Sequence, residues 1–153
     1  MNLKTIHDYT VRMDVYYQAE NHLWVDVQDG VATIGLTPLV QETSGSFVAI
    51  QFAGEQETYR QNERFGSIEA EKHVGQLFMP LSGTVQEVNE MVIKNPRLIN
   101  TDPYGDGWLV KILPTDLTGE INTLLQSEEE ITIWFESEIE KYKEKGWIAQ
   151  PHK

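Results

Sequence analysis

Two short extended runs that meet at a charged corner, between positions 64 and 78, constrain the fold of this chain more than any other feature. Strand-forming side chains and one histidine flank the corner: Phe65, Ser67, Ile68, His73, Val74, Leu77 and Phe78. β-Branched and aromatic side chains favour strands, whereas the corner itself holds Glu69, Glu71 and Lys72. The sequence therefore predicts a β-hairpin with Lys72 at or near its tight turn, pointing into solvent.

A solvated lysine of this kind is a poor catalyst. Its amine is not desolvated, so its pKa has no reason to fall far enough for it to act as a base or a Schiff-base nucleophile. Two interpretations follow for Lys72. It is either an ordinary surface lysine, weakly paired with Glu69 or Glu71, or an amine placed where another protein can reach and modify it.

Turn signals divide much of the remaining chain into short elements. Asp29-Gly30 lies between two apolar runs and predicts a second hairpin. Thr37-Pro38 predicts the N-cap and first position of a short helix that ends before Gly45, and residues 53–63 read as a polar connection. Apolar runs predict further strands near residues 11–17, 47–52, 84–88 and 108–113.

The last part of the chain has the period of an amphipathic helix. Its apolar side chains fall on one helical face: Ile131, Trp134, Phe135, Ile139 and Tyr142. Ser127 and Glu130 have the spacing of a capping box, and Gly146 is a stop signal. This aromatic stripe predicts core packing and not a cofactor site. The sequence thus predicts a mainly β core with appended helices.

Composition excludes several function classes. The chain has 153 residues, no cysteine and a net charge of −12, which argues against disulfides, thiol chemistry and nucleic-acid binding. The absence of a long apolar run predicts no membrane insertion and, together with the start of the chain, a cytoplasmic location. Four scattered histidines predict no metal site: His7, His22, His73 and His152.

Three segments resemble the H protein of the glycine cleavage system. Residues 65–72 look like its lipoyl-lysine hairpin, and 80–90 and 95–112 look like the segments that follow. The likeness extends over residues 18–126. It implies a barrel-sandwich hybrid, the flattened lipoyl-domain-like barrel, with a short inserted helix and a C-terminal helix. Residues 1–17 would be an N-terminal extension, and 127–153 would pack on the same domain.

The resemblance also implies a site and a cofactor. Lipoic acid would be attached covalently to Lys72 by a lipoate-attaching enzyme, which would recognise the hairpin through Glu69, Glu71 and His73. The protein would carry this cofactor and have no active site of its own. Biotin is disfavoured, because Glu71 and His73 stand where biotin carriers have methionines.

Two departures from the family suggest a specialised carrier. The family usually reads His-Glu-Trp where this chain has His22-Leu23-Trp24, and it usually has an acidic residue where this chain has Gln76. A cationic aminomethyl cargo needs anionic or acceptor groups. We therefore expect the arm pocket at His22, Leu23 and Gln76 to serve a sulfur-bearing cargo, as in the lipoate-binding proteins of bacterial sulfur oxidation, with a heterodisulfide-reductase-like complex as partner.

Two alternatives stay open. The first is a true glycine cleavage H protein that carries the aminomethyl group between glycine cleavage enzymes, including dihydrolipoyl dehydrogenase. The second is an unmodified scaffold that acts as a binding module. His73 is either a proton donor or sulfur-side contact, or a turn histidine with no role.

Overall fold

A computed structural model describes residues 2–71 and 73–148 of the chain. Lys72, the predicted site of lipoyl attachment, therefore lies outside the described residues, as does His152. Within those residues the strands are β1 Leu3–Ile6, β2 Tyr9–Arg12, β3 Tyr16–Gln18, β4 Leu23–Gln28, β5 Val31–Leu36, β6 Phe47–Phe52, β7 Thr58–Tyr59, β8 Arg64–Ala70, β9 Val74–Phe78, β10 Gly83–Val88 and β11 Val110–Pro114. The helices are α1 Val40–Ser44, α2 Glu90–Lys94, α3 Leu98–Thr101, α4 Leu117–Glu120 and α5 Glu128–Glu144, with a 3-10 turn at Ile121–Thr123.

The strands form three antiparallel sheets. Their orders are β1-β2, β3-β4-β5-β11-β10-β7 and β6-β8-β9. The six-stranded and three-stranded sheets bury one shared apolar core, which includes Val25, Ile34, Phe65, Leu77 and Ile112. Two small sheets closed over one core make a flattened barrel, so the predicted mainly β barrel-sandwich hybrid with an inserted and a C-terminal helix is confirmed.

Both predicted hairpins are present in the described residues. β4 and β5 pair antiparallel, and the turn between them holds Asp29 and Gly30 at φ 50° and 79°. Positive φ at both central residues is the geometry that matches the twist of the flanking strands. β8 and β9 also pair antiparallel, with Ser67 opposite Gln76 and Glu69 opposite Val74.

A second apolar core joins the N-terminal hairpin β1–β2 to the C-terminal helix α5. The C-terminal helix α5 buries Ile131, Phe135 and Ile139 against side chains that precede β4, among them Val11 and Tyr17. The predicted cap is confirmed: the Ser127 side chain accepts from the Glu130 N–H, and the Glu130 side chain accepts from the Ser127 N–H. A capped, amphipathic helix therefore packs on the N-terminal hairpin β1–β2 and the start of the barrel.

Some local predictions differ from the structure. Helix α1 begins at Val40 and not at Pro38, with Leu39 at its N-cap position and no side-chain cap; the Thr37 side chain contacts His22. Its end before Gly45 is as predicted, since Gly45 adopts φ 80°. Strand β7 lies inside the predicted polar connection, and α2 and α3 flank the turn at Asn95-Pro96. Among the described helices, none combines the length and apolar character that a membrane span requires.

Candidate functional site

A cavity of about 250 Å³ lies beside the β8–β9 hairpin. The turn before β4 supplies Glu20 and His22, and α1 supplies Thr43 and Ser44. The start of β9 and the last turn of α5 complete it, the latter through Tyr142. Segments that are far apart in sequence therefore converge on one space next to the turn that holds position 72.

The structure brings four of the predicted site residues together at this cavity. His22, Leu23, His73 and Gln76 all contribute to its lining. Leu23 and His22 are buried, whereas His73 and Gln76 are exposed. Since His73 directly follows Lys72 in sequence, the cavity adjoins the point from which a lysine-linked arm would extend.

The two glutamates of the hairpin lie elsewhere. Glu69 is exposed and lines a separate groove of about 150 Å³ with Ala49 and Val74. Glu71 is tied to the segment after α1: Oε1 of its carboxylate accepts from the Ser46 N–H at 2.9 Å, and its own N–H donates to the Ser46 carbonyl at 3.1 Å. Together with the hydrogen bond from the Ala70 N–H to the His73 carbonyl, at 2.8 Å, these contacts brace both sides of the turn.

His22 is the centre of a buried polar network behind the cavity. Its Nδ1 lies 3.0 Å from Oγ1 of Thr37, and its Nε2 lies 2.7 Å from Oε1 of Glu138. The Tyr142 hydroxyl lies 3.2 Å from the same Nε2. The imidazole therefore links the turn before β4 to helix α5 through Glu138 and Tyr142.

Burial and charge fix the protonation states in this network. Burial lowers the pKa of His22, so the imidazole is neutral at neutral pH. Burial acts to raise the pKa of the Glu138 carboxyl, but hydrogen bonds from His22 and Lys141 outweigh it and the pKa is lowered overall. A carboxylate only accepts hydrogen bonds, so Nε2 of His22 carries the hydrogen and Nδ1 accepts from Thr37. Burial also raises the pKa of Tyr142 to about 12.

Sequence reasoning missed three residues of the site region. Glu20 sits in the turn between β3 and β4, Glu138 is separated from His22 by 116 positions, and Tyr142 read only as part of an apolar helical stripe. No periodicity or motif connects these residues. Their convergence depends on where α5 packs.

The cavity is chemically suited to hold a ligand. Leu23, Leu36 and Ile68 give it apolar walls, and Thr43 and Ser44 add hydroxyl groups. Within residues 2–71 and 73–148, no group of three or more metal-ligating side chains comes together. An apolar slot with a few polar groups is the usual character of a site for a small organic group.

Comparison with known proteins identifies close relatives. A family model described as glycine cleavage H-protein matches residues 15–138. The glycine cleavage system H protein of Bacteroides thetaiotaomicron is 42% identical over 95 residues, which cover 62% of this chain and 75% of that protein. The H protein of Carboxydothermus hydrogenoformans is 37% identical over 119 residues, covering 78% and 90% respectively. A crystal structure of an H protein from Mycobacterium marinum superposes with a TM-score of 0.70 at 33% identity, covering 78% of this chain and 95% of that one.

These relatives overturn the sulfur-oxidation function expected from the sequence. The matching family and the relatives are named for glycine cleavage, so the expected specialisation, with its heterodisulfide-reductase-like partner, is wrong. The inference relied on missing acids at Leu23 and Gln76. The structure shows that Glu20, three positions before Leu23, also lines the cavity, so an acidic residue is present there despite those two replacements.

Proposed function

Because this chain belongs to the glycine cleavage H-protein family, we propose that it is a lipoyl carrier that holds the aminomethyl group and passes it between the glycine cleavage enzymes. Lipoic acid is attached to Lys72 in this proposal, and it supplies the dithiol chemistry. The chain itself has no catalytic role. Its partners are a lipoate-attaching enzyme and the glycine cleavage enzymes, including dihydrolipoyl dehydrogenase.

One observation carries the proposal: the turn that contains position 72 adjoins a cavity with apolar walls. His73 lines that cavity and is covalently bonded to residue 72. Leu23, Leu36 and Ile68 offer apolar contact to a dithiolane ring, so the residues present fit the group. A carrier needs an arm that extends from a fixed point and rests in a protected place, and the braced hairpin and its cavity provide both.

Rigidity of the turn supports the same proposal. Glu71 and Ser46 exchange two hydrogen bonds, which hold the residue before Lys72 against the end of α1. A modifying enzyme that recognises the position of a lysine needs such a fixed frame. Glu71 therefore acts as a positioning residue for attachment, whereas Glu69, on a separate groove, is available for contact with the attaching enzyme.

The proposed carrier function comes with a proposed domain organisation. We propose that residues 18–126 form the carrier domain, with 1–17 as an extension and 127–153 packed on the same domain. The second core supports the packing of the C-terminal segment on the same domain, because α5 buries its apolar side chains with those of the β1–β2 hairpin and with Trp24.

Mass spectrometry of protein isolated from its own host tests attachment. We expect one lipoyl group on the peptide that contains Lys72, and none in the variant Lys72→Arg. A second assay tests the cargo: the lipoylated protein should accept the aminomethyl group when it is incubated with glycine decarboxylase and glycine. Unmodified Lys72 in a host that lipoylates other proteins, or a lipoylated protein that is not loaded, would contradict the proposal.

A further inference from the structure

We propose that a groove between the N-terminal hairpin β1–β2 and the turn at residues 100–105 binds an extended segment of a partner protein that contains arginine and proline. The groove has a volume of about 440 Å³, within the range of about 300–1,000 Å³ that is usual for ligand sites. It shares no lining residue with the cavity beside the β8–β9 hairpin. This second site does not depend on the proposed carrier function.

The N-terminal extension supplies one wall of the groove. Leu3 of β1 and residues 8–10, which include the start of β2, lie on this wall. The opposite wall is formed by residues at and just before α1 and by residues 100–105. The family model matches residues 15–138, so the groove arises where a segment outside the matched region packs on the family domain. The site is therefore a property of the extension that this chain carries.

Contacts behind the groove hold both walls in place. The Tyr104 hydroxyl lies 2.8 Å from the Tyr17 hydroxyl, which donates to the Arg12 carbonyl at 2.7 Å. On the other wall, the Tyr9 ring packs edge-on against Phe135 at a centroid distance of 5.9 Å. Both lining tyrosines are half-buried, so each keeps part of its surface open in a fixed position. A preformed groove of this kind loses little conformational entropy when it binds a ligand.

Apolar and ring surface makes up much of the lining. Leu3 leaves half of its surface exposed. The rest of this surface comes from two prolines and two tyrosines: Pro38, Pro103, Tyr9 and Tyr104. Grooves lined by aromatic side chains bind proline-containing segments, whose extended backbone is already ordered before binding. The shape and the lining therefore fit an extended segment with proline.

Two carboxylates make the groove selective for a cation. Asp8, in the turn of the N-terminal hairpin, and Asp102, on the opposite wall, are both exposed. Neither joins an ion pair among the described residues, and in that part of the chain neither lysine nor arginine lines the groove. A guanidinium forms two parallel hydrogen bonds with a carboxylate and stacks on aromatic rings. Arginine therefore matches both kinds of group in the lining, the carboxylates and the rings.

The groove and the β8–β9 hairpin are connected through α1. Gln41 of this helix lines the groove, whereas Thr43 and Ser44 line the cavity beside the hairpin. Asn100 of the groove accepts from the Phe47 N–H at 2.9 Å and donates to the Gly45 carbonyl at 3.2 Å. A partner anchored in the groove is therefore held near the hairpin, which raises its local concentration there.

Two matched peptides test the proposal on the full-length protein. The first is acetyl-Pro-Arg-Pro-amide, and the second has citrulline in place of arginine, so that a neutral urea of similar shape replaces the guanidinium. Binding is followed by chemical-shift changes of the Tyr9, Thr10 and Gly105 amides at constant ionic strength.

Three variants separate charge in the groove from net charge. Asp8→Asn and Asp102→Asn each remove one carboxylate from the lining. Asp102→Asn keeps an acceptor oxygen for the Asp106 N–H, which Asp102 accepts at 2.8 Å, so the turn is preserved. Glu55→Gln makes the same change in net charge at an exposed glutamate that lines a different groove.

We expect saturable shifts with the arginine peptide and an affinity about three- to tenfold lower for the citrulline peptide, the range of one partly solvated charge-assisted pair. Asp8→Asn or Asp102→Asn should weaken binding of the arginine peptide and leave the citrulline peptide unchanged, and Glu55→Gln should bind both as the wild type does. Absence of saturable shifts, equal affinity for the two peptides, or an arginine preference that survives both aspartate variants would overturn the proposal.

Sedimentation velocity of the peptide-free protein tests the competing occupant, a second copy of this chain. We expect a monomer at the concentration of the titration, because the groove is then open to the peptide. A dimer whose formation shifts the same three amides would overturn the assignment of the groove to another protein.

Discussion

Glu71 and Ser46 are joined by two hydrogen bonds, one to the carboxylate of Glu71 at 2.9 Å and one from its backbone N–H at 3.1 Å. They connect the residue before Lys72 to the segment that follows α1, a helix that lines the cavity through Thr43 and Ser44. The contact therefore ties the end of β8 to the helix that forms one wall of the cavity.

Replacing the Glu71 carboxylate should loosen this connection. In Glu71→Ala the Ser46 N–H loses its acceptor, and we expect its hydrogen exchange to accelerate by about fivefold, corresponding to one ordinary hydrogen bond. Glu71→Gln keeps an acceptor oxygen and serves as the control. The rate of lipoyl attachment should fall in Glu71→Ala and change less in Glu71→Gln. Identical exchange at Ser46 in both variants and wild type would show that the bond does not brace the turn.

The second core depends on the buried face of α5. Phe135 is fully buried and its ring packs edge-on against Tyr9 at a centroid distance of 5.9 Å. We expect Phe135→Ala to lower the free energy of unfolding by about 3–5 kcal/mol. Ile133→Ala is the matched control on the same helix, because Ile133 is 61% exposed, and it should change stability by less than about 0.5 kcal/mol. Denaturant unfolding measures both, and similar losses would contradict the assignment of the core face.

Gly35 is required where Trp24 crosses its strand. A Cβ at position 35 would overlap the Trp24 ring, whose Nε1 donates to the Pro103 carbonyl at 3.1 Å. We expect Gly35→Ala to cost about 1–3 kcal/mol through overpacking and to alter tryptophan fluorescence. Thr33→Ala, two positions earlier on β5, is the control and should leave the tryptophan fluorescence unchanged. A stable Gly35→Ala protein with unchanged fluorescence would contradict this close packing.

Stability should fall as the solution becomes more acidic. Burial lowers the pKa of His22 below its ordinary 6.5. Below pH 6.5 the unfolded chain therefore binds a proton at this histidine more readily than the folded protein does, and protonation favours the unfolded state. The pKa of Glu138 is lowered below its ordinary 4.5, so its stabilising contribution is present above that pH and is lost as the pH falls through the folded-state value.

Denaturant unfolding between pH 6.5 and pH 4.5 measures the histidine contribution. The wild-type protein should lose stability steadily across this range, and His22→Gln should show a shallower dependence. His7→Gln, at an exposed histidine, should retain the wild-type slope. A slope unaffected by His22→Gln would show that this imidazole is not the group that titrates.

Local features of the chain were predictable because a few neighbouring residues determine them. Asp29 and Gly30 tolerate positive φ, Ser127 and Glu130 satisfy the free N–H groups at a helix start, and alternating side chains define the hairpin around position 72. The resemblance to H proteins extended these features to the barrel-sandwich hybrid, which the structure confirms. It also identified the family, whereas the cargo inferred from the single positions Leu23 and Gln76 was wrong.

The sequence by itself determined the β4–β5 and β8–β9 hairpins, the capped C-terminal helix and the family, whereas β7, α2 and α3 came only from the structure. Tertiary structure alone decided that Thr37 binds His22 instead of capping α1, that Glu138 meets His22 across 116 positions, and that Glu20 and Tyr142 share a cavity with His73. The physical reason is the range of the interactions. Backbone preference acts over a few adjacent residues, whereas the lining of a cavity depends on how distant elements pack. An acidic residue can therefore line the same cavity from more than one position on the chain.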